Sequence, residues 1–508
     1  MEFLLDGRRR TVPPGSRLSD VLEGRDPACT IAVVRPAAAQ ATQTRTLLVA
    51  TTRGEVVIEL AAPAGIDLDP AALPPPLTIH WADRYAAAFG PFPREFTPSR
   101  TPHPYGRGDV LVGCGGYDPR RSYLIFSRIR HQADHGAPAG GGIIGRVVSG
   151  GGVLDRWGAG DRIDRIERVV SWEDRTTAFT TTDTSFPLEE GMQVVTRVEA
   201  VAQGYTPEKI DPSVAGTVEH MLMVVERGHF HVHRAASTHI RDETLPTTDL
   251  SSEEKRFRGE GTVTVRPIGP GSGSVYIYRT DLPGNPEHSV AGQVVHGIEL
   301  VKLAREGETL CISVTPSRLD LVGMTAADAV KGAAGRGVTA VLDDPEDPAR
   351  LVVDQDPGTT LEVLAKKSVS LTTAPEGKVL GIRLDDARAP ASCALFRQVT
   401  GLARHPLGKM PLFFRFDDVL LFRPPLREGM KILPENTPAD EVPAFALGMT
   451  NDSRKGTGTV GVRTAPNREF GPTAEPFEGT NLIGMVMDTG KLKSLKEKET
   501  IYVREVNL

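Results

Sequence analysis

Short apolar and β-branched runs bounded by glycine and proline dominate the hydrophobic pattern of this chain, and they predict many strands and few helices. Residues 30–34, 52–60, 338–342, 351–357 and 379–384 each read as a strand of this kind. Two segments follow a helical pattern instead. Residues 18–22 follow Ser16, a candidate N-cap, and carry Asp20 where an acidic side chain meets the helix dipole. Residues 325–334 are alanine-rich and are stopped by Gly335 and Gly337. Near the start, Asp6-Gly7 separates residues 2–5 from 10–12, and this dipeptide favours the two positive φ values of a type I′ hairpin turn. The proline-rich stretch 61–76 lacks ladder donors and reads as loop.

One phrase recurs three times: a strand opened by glycine, a linker, then Gly-x-Val. The copies are Gly108-Asp109-Val110-Leu111-Val112 with Gly145-Arg146-Val147, and Gly261-Thr262-Val263-Thr264-Val265 with Gly292-Gln293-Val294. The third is Gly458-Thr459-Val460-Gly461-Val462 with Gly484-Met485-Val486. Eight residues past each Gly-x-Val glycine stands Val153, Leu300 or Leu492. Self-similarity at so long a period predicts repeated small β domains rather than stacked solenoid units. A chain of 508 residues is also too long for one core.

Composition narrows the partners. A formal charge of −6 without basic clusters argues against general binding to nucleic acid or anionic membranes. The run 491–499 mixes lysines with acids and reads as solvated surface. Cys29, Cys114, Cys311 and Cys393 form no C-x-x-C pair, so neither a disulfide framework nor a zinc ribbon is expected, and four free, mostly buried thiols are. The N-terminal residues place acidic charge too early for a signal peptide, and no apolar run reaches the roughly 20 residues of a membrane span. A soluble cytoplasmic protein is the expectation.

Several constellations could carry chemistry. His229, His231 and His233 alternate along a strand and project from one face, where they could hold zinc or nickel with His220 or His239 as a further ligand; a polar or partner-facing surface is the competing reading. His131 and His135 have H-x-x-x-H spacing but no glutamate after the first histidine, which excludes a metalloprotease motif and leaves a surface loop. The triplets 140–142 and 150–152 lack the Gly-Lys-Ser/Thr of a phosphate loop and read as turns. Cys114 could meet a partner's cluster or serve as buried structure. Around Phe470, Gly471, Pro472 and Phe477, dense Pro, Gly and aromatic residues between Asn467 and Asn481 predict a rigid loop offered to a partner.

Resemblances add to this reading. Hairpin, helix and strand over residues 1–47 resemble a β-grasp unit, without the free Gly-Gly end of a sulfur carrier. Helix, strand, strand and Gln355-Asp356-Pro357 over 321–365 resemble a PASTA module. Residues 379–384, Ala389-Pro390, Phe396-Arg397-Gln398-Val399-Thr400-Gly401 and Phe413-Phe414-Arg415 resemble the first strand, helix and active-site strand of a cyclophilin. Val275-Tyr276-Ile277-Tyr278, His288 and residues 292–301 resemble a later cyclophilin run. The architecture implied is mainly β with a few helices (α+β): tandem cyclophilin-like barrels over 48–192, 193–320 and 366–508, preceded by the β-grasp-like unit.

Phrases 115–119, 123–126, 297–301, 432–438 and 469–481, in that order, also resemble the methanogenesis marker protein 3 family nearly end to end. That resemblance implies a cytoplasmic archaeal protein in the assembly that activates methyl-coenzyme M reductase, with iron–sulfur subunits and an ATPase as partners and no cofactor of its own. The cyclophilin likeness implies Arg415 as the residue that would hydrogen-bond a prolyl amide nitrogen and lower an isomerisation barrier of roughly 20 kcal/mol. Its alternative role is a strand-end ion pair with Asp417 or Asp418. The Q-G-G-D-F phrase and the later glutamine of cyclophilins are missing after Arg415, which favours a non-catalytic scaffold over a prolyl isomerase.

Overall fold

Asp6 and Gly7 take φ of 46° and 72° and join Glu2–Leu5 to Arg8–Thr11, as the Asp-Gly signal requires. The computed structural model describes residues 1–22, 24–35, 45–61, 73, 75–168, 178–246, 250–251, 253, 257–426 and 431–506, in two units, Met1–Arg318 and Leu319–Leu508. Most of the loop expected over 61–76 lies outside the described residues. No helix among the described residues is long and apolar enough to cross a membrane.

The helix expected over 18–22 is a single 3-10 turn, Leu18–Asp20. Ser16 does not cap it, since its hydroxyl donates to the Pro13 carbonyl, and Asp20 instead accepts the Arg17 backbone N–H at 2.7 Å. So short a segment cannot offset the cost of helix nucleation. The N-terminal sheet is completed from far along the chain. Ile31–Val34 lies between Ala178–Thr181 and Gln193–Val195, and Leu4 pairs in parallel with Gln193. Phe3, Leu18, Ile31, Val33, Met192 and Val194 pack between them.

The recurring phrase marks a recurring frame. In the first unit, eight strands from Thr46–Thr51 to Arg162–Arg168 close into a barrel, and eight more from Val198–Ala202 to Thr309–Thr315 form an open sheet. In the second unit, seven strands from Val379–Leu384 to Thr500–Glu505 close again. These barrels are consistent with tandem cyclophilin-like domains.

Each Gly-x-Val glycine pairs with a strand near the start of its copy: Gly145 with Leu60, Gly292 with Ala202, Gly484 with Leu384. A Cβ there would sit 2.5, 2.8 and 2.1 Å from the carbonyls of Glu59, Val201 and Arg383, so only glycine lets the strands approach. The residue before it, Ile144, Ala291 or Ile483, is an extra residue in the ladder to the next strand in all three copies. Such a bulge bends and twists its strand, which is how a sheet curls toward closure. Val153, Leu300 and Leu492 then lie in the short helical segments Gly151–Arg156, Ile298–Leu303 and Thr489–Ser494, each no more than 1% exposed.

The opening half of the phrase is equivalent in two copies only. Asp109–Cys114 and Thr262–Val265 lie beside the Gly-x-Val strand, whereas in the third copy that place belongs to Ala446–Thr450 and Val460–Arg463 stands one strand further on. Gly108, Gly261 and Gly458 all have φ between 77° and 84°, so the shared signal was a left-handed strand start rather than a shared position.

In the second unit, Thr325 caps helix Ala326–Ala334 and Gly335 ends it, as the pattern predicts. A second helix, Thr360–Lys366, leads into Ser368–Ala374, the middle strand of a three-stranded sheet with Thr339–Leu342 and Leu351–Asp356. In the barrel that follows, Pro390–Thr400 starts with proline, ends at Gly401 with φ 92°, and buries Phe396.

Candidate functional site

The hairpin formed by Gly408–Phe416 and Val419–Phe422 holds the candidate catalytic arginine. A register shift between Leu412 and Phe414 turns the strand end outward. Leu412 is buried, but Phe413, Phe414 and Phe416 are 36, 46 and 65% exposed. Arg415 is exposed among them. Its Nη1 donates to the Leu495 and Lys493 carbonyls at 2.8 and 3.3 Å, and its backbone N–H to Glu497 Oε1 at 2.8 Å. The guanidinium therefore lies along its own barrel's 489–495 turn, the geometry of an anchor. The ion pair anticipated with Asp418 is made by Arg463, a buried arginine 3.2 Å away that no sequence signal marked. Arg423 covers Phe413, its guanidinium carbon 4.3 Å from the ring centroid.

The loop 467–481 is held tightly. Asn467 Oδ1 accepts the N–H groups of Glu469 and Phe470 at 2.9 and 2.7 Å, forming the turn its side chain predicts. Gly471 and Pro472 are buried, however, and Pro472 packs over Gly448 and Gly461. Phe470 and Phe477 are half-buried. Buried Asn481 joins three segments through Ser392, Leu433, Glu435 and Asn451, each at 2.8–2.9 Å. This loop covers the barrel frame, and the exposed aromatic surface lies on the Phe413–Phe416 side.

The histidine face differs from the expected ligand set. His220 is buried in helix Ala215–Val224 against the Gly273 carbonyl at 2.7 Å, and His239 packs on Tyr276 and Tyr278. Neither joins the row. His231 meets Thr309 Oγ1 at 3.1 Å, and His233 Nδ1 accepts the Glu243 N–H at 3.2 Å. His229 instead approaches Asp26, Nε2 to Oδ2 at 2.7 Å, beside two cysteines. The expectation of four free thiols is corrected here: Cys29 and Cys311 are bonded. Their separation of 282 residues left no spacing signature to read. Cys114 and Cys393 are free and buried; burial pushes both thiols up, Cys393 to about 11, and so disfavours the reactive thiolate. His131 lies on a short strand, its Nε2 3.1 Å from that of His135, and burial pulls His135 down.

One cavity of about 630 Å³ opens within the first unit. Arg8, Arg53, Arg156, Arg165, Arg197 and His296 line it, against Asp6, Glu55, Asp164 and Glu199. Asp6 and Glu55 hold His296 from two sides, at 3.6 and 3.3 Å. Burial alone would pull His296 down, but these contacts outweigh it and push it up to about 10, so the imidazole is a cation. Arg156 makes no ion pair among the described residues; its hydrogen bond is a 3.5 Å contact with the Val201 carbonyl. Burial, then repulsion from Arg53, lowers it to about 10. Asp161 and Glu208 pair with Arg53, and Glu167 with Arg165, so the charges around the cavity nearly balance, and Arg156 is a lining cation to which a bound anionic group would add a partner. These charged residues come from five separate stretches of chain, so the cavity was invisible in the sequence.

Closed seven- and eight-stranded barrels of this kind are consistent with the cyclophilin-like class. Residues 380–506 match a family model described as "Putative peptidyl-prolyl cis-trans isomerase domain". A UPF0288 protein of Methanosarcina barkeri is 35% identical over 514 residues, covering 99% of this chain and 97% of the relative. A UPF0288 protein of Methanothermobacter thermautotrophicus is 34% identical over 435 residues, covering 84% and 81%. This chain belongs to the UPF0288 family of methanogens. A solved structure of a conserved Enterococcus faecalis protein of unknown function aligns with 24% of this chain and 30% of its own at 18% identity, with a TM-score of 0.17, too poor a superposition to relate the folds.

Proposed function

We propose that this protein is a non-catalytic, cytoplasmic scaffold acting through protein–protein contacts in the ATP-dependent reductive activation of methyl-coenzyme M reductase. Its family occurs in methanogens, and its resemblance to methanogenesis marker protein 3 supports that setting. The observation that carries the scaffold reading is the third barrel's hairpin. It exposes Phe413, Phe414 and Phe416 while Arg415 is engaged with its own backbone carbonyls. Clustered exposed aromatics are the surface a protein partner covers.

Capture of the full-length chain from native methanogen extract tests this. The reductase, iron–sulfur and ATPase subunits should co-purify, and Phe414→Ser/Phe416→Ser should lose them. Absence of all three from the wild-type capture overturns the setting; retention by the variant overturns the surface. The match over residues 380–506 favours a second reading, prolyl isomerisation by the third barrel. A proline-peptide assay separates the two: a rate that falls with Arg415→Ala supports isomerisation, and equal rates support the scaffold.

A further inference from the structure

We propose that Cys29, Cys311 and His229 form a reduction-gated site for a thiophilic divalent cation of the zinc class. The disulfide joins the turn before strand Ile31–Val34 to strand Thr309–Thr315, and Cys311 lies directly opposite His229 in an antiparallel pair. The two sulfurs and an imidazole nitrogen lie within 4.8 Å of one another. A tetrahedral zinc with bonds of about 2.0–2.3 Å spans ligands ~3–4 Å apart, so side-chain rotation suffices to enclose one once the sulfurs part.

Three features point to a ligand set rather than a structural staple alone. First, the cysteine segment is pinned independently of sulfur. The Thr30 N–H donates to the Thr309 carbonyl at 2.7 Å, and Asp26 accepts the Ala28 N–H at 2.9 Å through Oδ1. Reduction therefore leaves both thiols facing each other. Second, Asp26 Oδ2 stands 2.7 Å from His229 Nε2, the carboxylate–imidazole pairing that orients a metal-binding histidine and leaves Nδ1 for the cation. Third, access is graded: Cys29 is fully buried, but Cys311 and His229 are half-buried, so a small reductant and a cation can both arrive from the same side. Three protein ligands leave the fourth position to water.

The chemistry balances with a dithiol as reductant. It gives two electrons and two protons to the Cys29–Cys311 bond and leaves as its own disulfide. The two thiols formed then release their protons to buffer as the cation binds.

Full-length protein, purified without an affinity tag under anoxic conditions, is reduced with excess dithiol, desalted and titrated with Co²⁺. The expected result is a thiolate-to-cobalt charge-transfer band with tetrahedral d–d bands, saturating at one ion per chain, and none in the oxidised protein. Cys29→Ser or Cys311→Ser should abolish the band, His229→Ala should weaken binding by tenfold or more and shift the d–d bands, and Cys114→Ser should change nothing. The wild-type titration decides even if a cysteine variant fails to fold. No band in the reduced wild type overturns the proposal, as does a band that survives loss of either cysteine or that the oxidised protein shares.

Discussion

Replacing His296 with glutamine should remove a pH-dependent share of the first unit's stability. His296 is held by Asp6 and Glu55, and its side chain is only 12% exposed, so solvent screens the contacts weakly. Its imidazole titrates near 10 in the fold against 6.5 when unfolded. Each pH unit between those values is worth 1.36 kcal/mol, which sets a ceiling of about 5 kcal/mol. Because the folded value is the higher one, the contribution is fully present below pH 6.5 and is lost as pH rises through 10. Glu299, which burial pushes up to about 7, titrates over a lower window, so measurements from pH 8 upward separate the two. At pH 8 about 2.7 kcal/mol remains, and at pH 10.5 almost none. Urea unfolding of wild type and His296→Gln at both pH values should show their difference shrinking by about 2–3 kcal/mol. A difference that stays constant from pH 8 to 10.5 refutes the charged-imidazole account.

Arg415→Ala should cost about 1 kcal/mol in urea unfolding through loss of its bonds to Lys493 and Leu495; an unchanged midpoint would remove its anchoring role. Gly461→Ala would bring a Cβ to 2.2 Å from the Pro472 carbonyl and should destabilise the third barrel by about 1–3 kcal/mol, with amide exchange rising first in the 467–481 loop. Arg156→Met should stabilise the first unit by about 1–3 kcal/mol, because it removes a desolvated cation that makes no ion pair among the described residues. Added sulfate should raise the melting temperature of the wild type by more than that of Arg156→Met, the variant reporting the general salt effect; equal shifts would locate the anion elsewhere.

Local chemistry made much of the frame legible. Asp6-Gly7 specified its hairpin and Thr325 with Gly335 bounded a helix, because each acts through backbone conformations set within a few residues. The Gly-x-Val phrase was legible for the same reason: the bulge at Ile144, Ala291 and Ile483 and the close approach at the next glycine demand that residue wherever the frame recurs. The other half of the phrase misled in the third copy, since a left-handed glycine opens many strands and does not say which neighbour the strand will have. Strand pairing is set by long-range contacts, and so are side-chain partners. Arg415 looked the same in sequence whether it aimed at a peptide or at Leu495, and only the path of the 489–495 turn chose. His229 carried a metal signal, but its companions Cys29 and Cys311 stand 282 residues apart from one another and meet only when the N-terminal segment crosses onto strand Thr309–Thr315. The sequence by itself determined where this chain can turn, bulge and start a helix. Tertiary structure alone decided which charges, thiols and rings face one another, because those encounters depend on chain closure over hundreds of residues and not on any local preference.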